Sequence, residues 1–285
     1  MSTFRIGCAV WAYKGWVGDL YPPKTPQHEF FENYVARLTA VEGNSMFYAI
    51  PSAEQVAQWA AGMPPGFEIF PKLHRSFTHE GPLVGRGREI AAFRERMQGF
   101  GAHLGALMAQ LPPTYGPERL EDLATFLDAW PHDEIPLSLE VRHLGWWVSH
   151  HATRLFDLLH HHGVSRVLLD TRPIYSGRDD PQRDNERKKP RLPMTFDRPA
   201  PFVVVRYIGH QNPARNEPFL NEWADWITEW RAEGIDVTFF AHCPTEAFSP
   251  GIARRLQALL EARGADVPPL PWNTIPATPK QASLF

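Results

Sequence analysis

Two stretches, Phe202-Val-Val-Val-Arg-Tyr-Ile208 and Asp236-Val-Thr-Phe-Phe-Ala-His242, decide how the chain folds. Each is a short run rich in β-branched and aromatic residues with a charged or titratable group at or near its end. Between them Trp223, Trp226, Ile227 and Trp230 recur at three- and four-residue spacing, and Gly234 stands where a helix would stop. This reads as a strand, an amphipathic helix and a second strand, the shortest way to join two parallel strands.

Outward from this unit the pattern repeats. Further candidate strands cover residues 5–11, 39–44, 67–72, 103–110, 136–142 and 166–172, making eight in all. The polar ends Glu42, Lys72, Gln110, Glu140, Asp170, Arg206 and His242 lie 30 to 38 positions apart, the length of a strand, a crossover helix and two loops. Helical periodicity fills the gaps: Phe30, Phe31, Tyr34, Val35 and Leu38; then Leu120, Leu123, Phe126, Leu127 and Trp130; then Leu155, Leu158 and Leu159, before Gly163. Eight such alternations predict an α/β fold, a single (β/α)8 TIM barrel over residues 1–266. No glycine-rich phosphate loop follows the first strand, which counts against an open doubly wound sheet.

Two segments depart from the repeat. Residues 174–201 lack helical periodicity and include the basic run Arg183-Asp-Asn-Glu-Arg-Lys-Lys-Pro-Arg191. Residues 267–285 contain five of the 28 prolines and follow a helix predicted over 252–263, so they read as an extended C-terminal tail outside the barrel. Composition is otherwise that of a globular chain, with 29 Lys and Arg against 32 Asp and Glu, a balance unlike a broadly basic nucleic-acid coat. No apolar run approaches the ~18 residues of a membrane span, and the N-terminus lacks the pattern of a secretory signal. Two cysteines, Cys8 and Cys243, provide no disulfide framework, so a cytoplasmic chain without membrane contact is expected.

In such a barrel the functional mouth lies at the C-terminal ends of the strands. There the alternation of side chains brings Glu42 and Asn44, Lys72, Gln110, Glu140 and Arg142, Asp170 and Arg172, Arg206 and His242 around one opening. A single charge at a strand end is usually a salt bridge; a ring of them reads as a polar site. Lys72, Arg142, Arg172 and Arg206 suit an anionic substrate, because guanidinium groups pair with phosphate oxygens through parallel donors. Glu42, Glu140 and Asp170, with His210 and His242, offer general bases or ligands for a divalent metal such as Zn, Mn or Mg. Nothing points to an organic cofactor. Trp11 and Trp146 lie at or just beyond strand ends, where an aromatic ring can stack on a base or a sugar.

The motifs also carry a family resemblance. Ile6-Gly-Cys-Ala-Val-Trp-Ala-Tyr-Lys-Gly-Trp16 resembles the opening of the YecE-like proteins, the family called domain of unknown function 72. Thr39-Ala-Val-Glu-Gly-Asn-Ser-Met-Phe-Tyr48 is similar to its second signature, Glu-Ile-Asn-Ser-Thr-Phe-Tyr. Phe70 to Lys72 with Thr78 and His79, Gln110 to Pro113, Glu140 with Arg142, and Asp170 match in order. The resemblance implies a TIM barrel, akin to those of endonuclease IV and xylose isomerase, which use metals at this mouth. It departs at Arg206-Tyr-Ile-Gly-His210, where the family has Arg-x-His-Gly, and at Phe240-Ala-His242, where it has Phe-Asn-Asn.

The last five residues, Gln281-Ala-Ser-Leu-Phe285, resemble the bacterial sliding-clamp-binding pentapeptide. In that reading the Gln281 amide hydrogen-bonds at a pocket rim while Leu284 and Phe285 fill an apolar groove, with Ser283 matching the motif's Ser/Asp position. Together these features lead to an expected metal-dependent phosphodiester hydrolase acting on nucleic acid and recruited by the sliding clamp. Glu42, Lys72, Glu140, Asp170 and His242 are then its catalytic groups. The alternatives are a sugar or sugar-phosphate enzyme, or a non-catalytic clamp-associated binding protein. The sequence does not set the oligomeric state.

Overall fold

A computed structural model describes residues 2–179, 181–182 and 188–275. Among them nine parallel strands occur: β1 (Phe4–Cys8), β2 (Ala40–Gly43), β3 (Glu68–Pro71), β4 (Leu107–Gln110), β5 (Leu137–Glu140), β6 (Ser165–Arg166), β7 (Leu168–Asp170), β8 (Phe202–Ile208) and β9 (Asp236–His242). The sixth expected strand is one stretch broken in two at Val167, whose halves pair with different neighbours. The main helices are α1 (Phe30–Val35), α2 (Ala53–Gly62), α3 (Arg75–Thr78), α4 (Gly87–Gln98), α5 (Leu120–Asp128), α6 (Ser149–His161), α7 (Pro213–Ala232), α8 (Ser249–Ala262) and α9 (Pro271–Thr274). Gly163 and Gly234 follow α6 and α7 with φ of +63° and +82°, the left-handed geometry that ends a helix without a Cβ clash.

The strands form a six-stranded sheet in the order β3-β2-β1-β9-β8-β7 and a three-stranded sheet β4-β5-β6. The arrangement is TIM-barrel-like, but the described strands do not close into one continuous ladder as expected for a (β/α)8 barrel. The gap between β3 and β4 has a local cause. Gly105 N–H donates to Ile69 O (2.8 Å) and Leu73 N–H to Met108 O (2.9 Å), so the odd-numbered residues of this strand address β4. Pro71 holds the odd position between them and has no N–H to give. The isolated bridges Ile69–Leu104 and Lys72–Met108 also differ by one residue in spacing, so the second strand carries an extra residue there.

Ala40, Phe70, Ala106, Met108, Val167, Val204 and Phe240 form a small apolar cluster drawn from strands of both sheets. A larger one joins the opposite strand faces to the helices and includes Tyr34, Trp146, Trp223, Ile227, Trp230 and Leu256. The segment expected to leave the barrel at residue 267 stays on it through its described part. Leu270 and Trp272 are buried, Trp272 N–H donates to Arg37 O (3.0 Å), and the Arg254 guanidinium lies 4.6 Å above the indole. The remainder, with Gln281, Ser283, Leu284 and Phe285, is outside the described residues, as are residues 183–187 of the basic run. Among the described residues no helix is long and apolar enough to cross a membrane.

Candidate functional site

The apolar cluster inside the strands has a polar layer directly above it. Two residues beyond Ala40, Phe70, Met108, Val204 and Phe240, on the same strand faces, stand Glu42, Lys72, Gln110, Arg206 and His242. Glu140, beyond buried Ser138, completes the layer. All six are buried, and they are linked throughout. Lys72 Nζ meets Glu42 Oε1 at 3.0 Å, while Glu42 Oε2 receives Arg206 Nε at 2.8 Å and His242 Nε2 at 2.7 Å. Arg206 Nη1 also pairs with Glu140 Oε2, and Arg142 Nε donates to Glu140 Oε1 at 2.6 Å. Gln110 Oε1 accepts from both Lys72 Nζ (3.1 Å) and Arg142 Nη2 (2.9 Å).

These contacts set the protonation states. Burial alone would raise the Glu42 carboxyl, but Arg206, Lys72 and His242 outweigh it and hold the group well below the usual carboxylate range. Glu140 is likewise lowered against burial, by Arg142, Arg206 and Lys72. Burial and the neighbouring Arg206 bring Lys72 down to about 8, against the pull of Glu42 and Glu140. Burial lowers His242 to about 4, so its imidazole is neutral near pH 7 and gives its Nε2 hydrogen to Glu42. The layer therefore holds two ionised carboxylates against the three cations Lys72, Arg142 and Arg206.

Other expected site residues lie elsewhere. In the broken strand the inward positions are Val167 and Leu169, so Asp170 faces the helices. There it accepts from Trp223 Nε1 of α7 (2.8 Å) and pairs with Arg172 (2.8 Å), which also binds Glu222. His210 is buried with Nε2 on Asp179 (2.9 Å) and Nδ1 accepting from Asn212 N–H (2.8 Å). Trp146 is wholly buried and donates to Tyr115 O (2.8 Å), a core residue with no face toward the opening. Trp11 and Asn44 do line a cavity of about 300 Å3 beside Glu42, with Ser45, Gln55 and Trp59. Trp11 and Trp59 meet edge to face there, with centroids 5.2 Å apart.

The expected metal does not suit this donor set. Three of the four carboxylate oxygens of Glu42 and Glu140 accept hydrogen bonds, and the fourth, Glu42 Oε1, accepts none but lies 3.0 Å from the Lys72 ammonium, while Asp170 and His210 are turned away. Among the described residues no group of three His, Cys, Asp or Glu side chains is placed to hold an ion. A divalent cation would also enter a layer in which positive charge already exceeds negative.

Three residues beyond the expected set feel the charges of the layer. Glu246, in the loop after β9, is raised by burial to about 7, and its carboxylate accepts from Ser249 (2.8 Å). His79 is lowered to about 4 by burial and the nearby Arg142, Arg75 and Lys72. Lys189, from the long 174–201 segment, is lowered by burial and by Arg206. His79 had a visible signal in its place just after the third strand. Glu246 and Lys189 sit in loops, where no periodicity indicates which way a side chain points.

A family model described as protein of unknown function DUF72 matches residues 5–278. UPF0759 protein YecE of Escherichia coli strain K12 is 29% identical over 283 residues, covering 98% of this chain and 99% of its own; its O157:H7 counterpart aligns equally at 29%. A DUF72 family protein of Enterococcus faecalis V583 superposes with a TM-score of 0.71 at 16% identity, over 91% of this chain and 96% of that one. One from Thermotoga maritima MSB8 does so with a TM-score of 0.64 at 19% identity, over 91% and 99%. These two likenesses concern the fold. With a family match running nearly end to end, the chain belongs to the DUF72 family.

Proposed function

We propose that the strand-end layer binds a small anionic substrate of the sugar-phosphate type and acts on it by proton transfer without a resident metal. The observation that carries this reading is the surplus of fixed positive charge around two carboxylates that are each already paired with cations. Arg142 Nη1 and Arg206 Nη2 make no hydrogen bond to a described residue, which leaves two guanidinium donors for a ligand's oxygens. The adjoining cavity with Trp11 and Trp59 offers apolar ring faces of the kind that sugars pack against. Within the layer itself Lys72, at about 8, is placed to give or take a proton near neutral pH, and Glu246 in the loop after β9, raised to about 7, is a second such group.

The phosphodiesterase reading shares the anion but needs a metal that the donor set does not suit. Clamp recruitment rests on the sequence of Gln281, Ser283, Leu284 and Phe285 alone. It is tested by capturing a purified bacterial sliding clamp with the full chain and with a chain ending at residue 280.

The substrate reading is tested by titrating the protein with phosphorylated sugars and their unphosphorylated counterparts, then assaying any ligand for turnover. Only the phosphorylated members should bind. Lys72→Met should lower turnover by about 10²-fold or more, and the wild-type rate should change through a limb near pH 8. Equal affinity for the neutral sugars, or unchanged turnover in Lys72→Met, would overturn the proposal.

A further inference from the structure

We infer that Asn44 is the specificity-determining residue of this site, its Oδ1 accepting a hydrogen bond from a hydroxyl of the substrate's sugar ring, which sits against Trp11 and Trp59 in the cavity beside Glu42. The inference rests on the sugar-phosphate reading and names the group that would tell the sugar from a bare phosphate.

The cavity is built by the chain that follows β1 and β2. β2 ends at Gly43, and Asn44 opens a single 3-10 turn over Asn44–Phe47. Pro51, which lines the cavity, is pinned from α4, whose Arg96 Nη1 donates to its carbonyl (2.7 Å). Ser52 then caps α2 by accepting from Gln55 N–H (3.2 Å), and Gln55 and Trp59, one turn apart, both line the cavity. Trp11, from the loop after β1, meets Phe31 and Trp59 edge to face (centroids 5.4 and 5.2 Å), and Trp59 lies parallel to Phe100. Rings braced in this way keep a fixed wall, so the cavity is formed before a ligand arrives. Its volume, about 300 Å3, suits one small ring.

The polar groups of the cavity show what it would take. Asn44 Nδ2 donates to Ala9 O (3.0 Å), and because a carbonyl can only accept, the amide cannot be turned round. Oδ1 is left as an oriented acceptor to which no described residue donates. Glu42, which also lines the cavity, is buried, and its Oε1 accepts no hydrogen bond, having only its ion-pair contact with Lys72. Two acceptors without donors, beside a wall of indole rings, match a ring with an apolar face and O–H groups at its edge, which is the make-up of a sugar. Glu42 also joins the cavity to the cations, since its other oxygen receives Arg206 Nε (2.8 Å). A sugar held there can direct its phosphate toward Arg206.

The experiment is calorimetric titration of the full-length chain with inorganic phosphate, ribose 5-phosphate and glucose 6-phosphate. Wild type should bind at least one of the sugar phosphates about tenfold or more tightly than inorganic phosphate. Asn44→Ala should lose about fivefold of that affinity, as for one neutral hydrogen bond, and bind inorganic phosphate within about twofold of wild type. Trp11→Leu, which keeps the wall apolar without a ring face, should also lose about fivefold and gives a second reading should Asn44→Ala fail to fold. Thermal melts of each variant confirm that it is folded. If the sugar phosphates bind no more tightly than inorganic phosphate, or if the variants bind them as wild type does, the assignment of Asn44 is overturned while the anionic site stands. If wild type binds neither phosphate nor any phosphorylated sugar, the site reading falls and this inference with it.

Discussion

At the scale of single residues, Glu42 is the hub. One buried carboxylate serves Lys72, Arg206 and His242 at once, with one oxygen shared between Arg206 and His242. Removing one member of a buried charge network leaves its partners without compensation, which is far more damaging than losing an exposed pair. Glu42→Gln should therefore destabilise the fold by about 3–5 kcal/mol, read from denaturant unfolding. Most of this hub was legible in the sequence, because a charge ending an apolar strand demands a partner or a task. Asp170 shows the limit of that reasoning. It ends its strand as Glu140 does, but the break at Val167 sets the inward positions to Val167 and Leu169, and alternation turns Asp170 toward Trp223.

At the scale of elements, β1 and β2 approach closely because of a glycine. A Cβ at Gly7 would lie 1.9 Å from Ala40 O, and the Tyr34 hydroxyl beside it accepts from Cys8 N–H (2.7 Å) and donates to Ala40 O (3.0 Å). Gly7→Ala must push these strands apart or displace α1, at a cost of about 3 kcal/mol, measurable as a lower unfolding midpoint. β2 carries Glu42, so the same variant should also disturb the layer. Strand and helix identities were readable from period and spacing, and the last two strands occur over the expected residues. The interruption between β3 and β4 was not, although Pro71 stood in view. Which neighbour a proline faces depends on strand pairing, and pairing is non-local.

At the scale of the whole molecule, buried titratable groups tie stability to pH. His242 and His79 have folded values of about 4 against an ordinary value of about 6.5, so as pH falls the unfolded chain takes up protons first. Stability from these two is present above about pH 6.5 and is lost toward pH 4. Glu246, raised to about 7, acts oppositely between pH 7 and its ordinary value near 4.5, one group against two. Below that, Glu42 and Glu140, lowered in the fold, add to the loss. Thermal melts should show a falling midpoint from pH 6.5 to 4 that steepens below about 4.5, and a midpoint that rises across this range would contradict the assignment.

What the sequence by itself determined was the periodic part of this protein: parallel strands alternating with helices, and polar strand ends gathered at one opening. These follow from local spacing and from the side-chain alternation of each strand. Only the tertiary structure decided which charges meet, that the Glu42 and Glu140 carboxylates pair with Lys72, Arg142 and Arg206, that Trp146 is core, and that Leu270 and Trp272 pack against the rest of the described fold. Those outcomes depend on strand register and on where loops come to rest. Both are set by contacts between residues far apart in the chain, which no local pattern encodes.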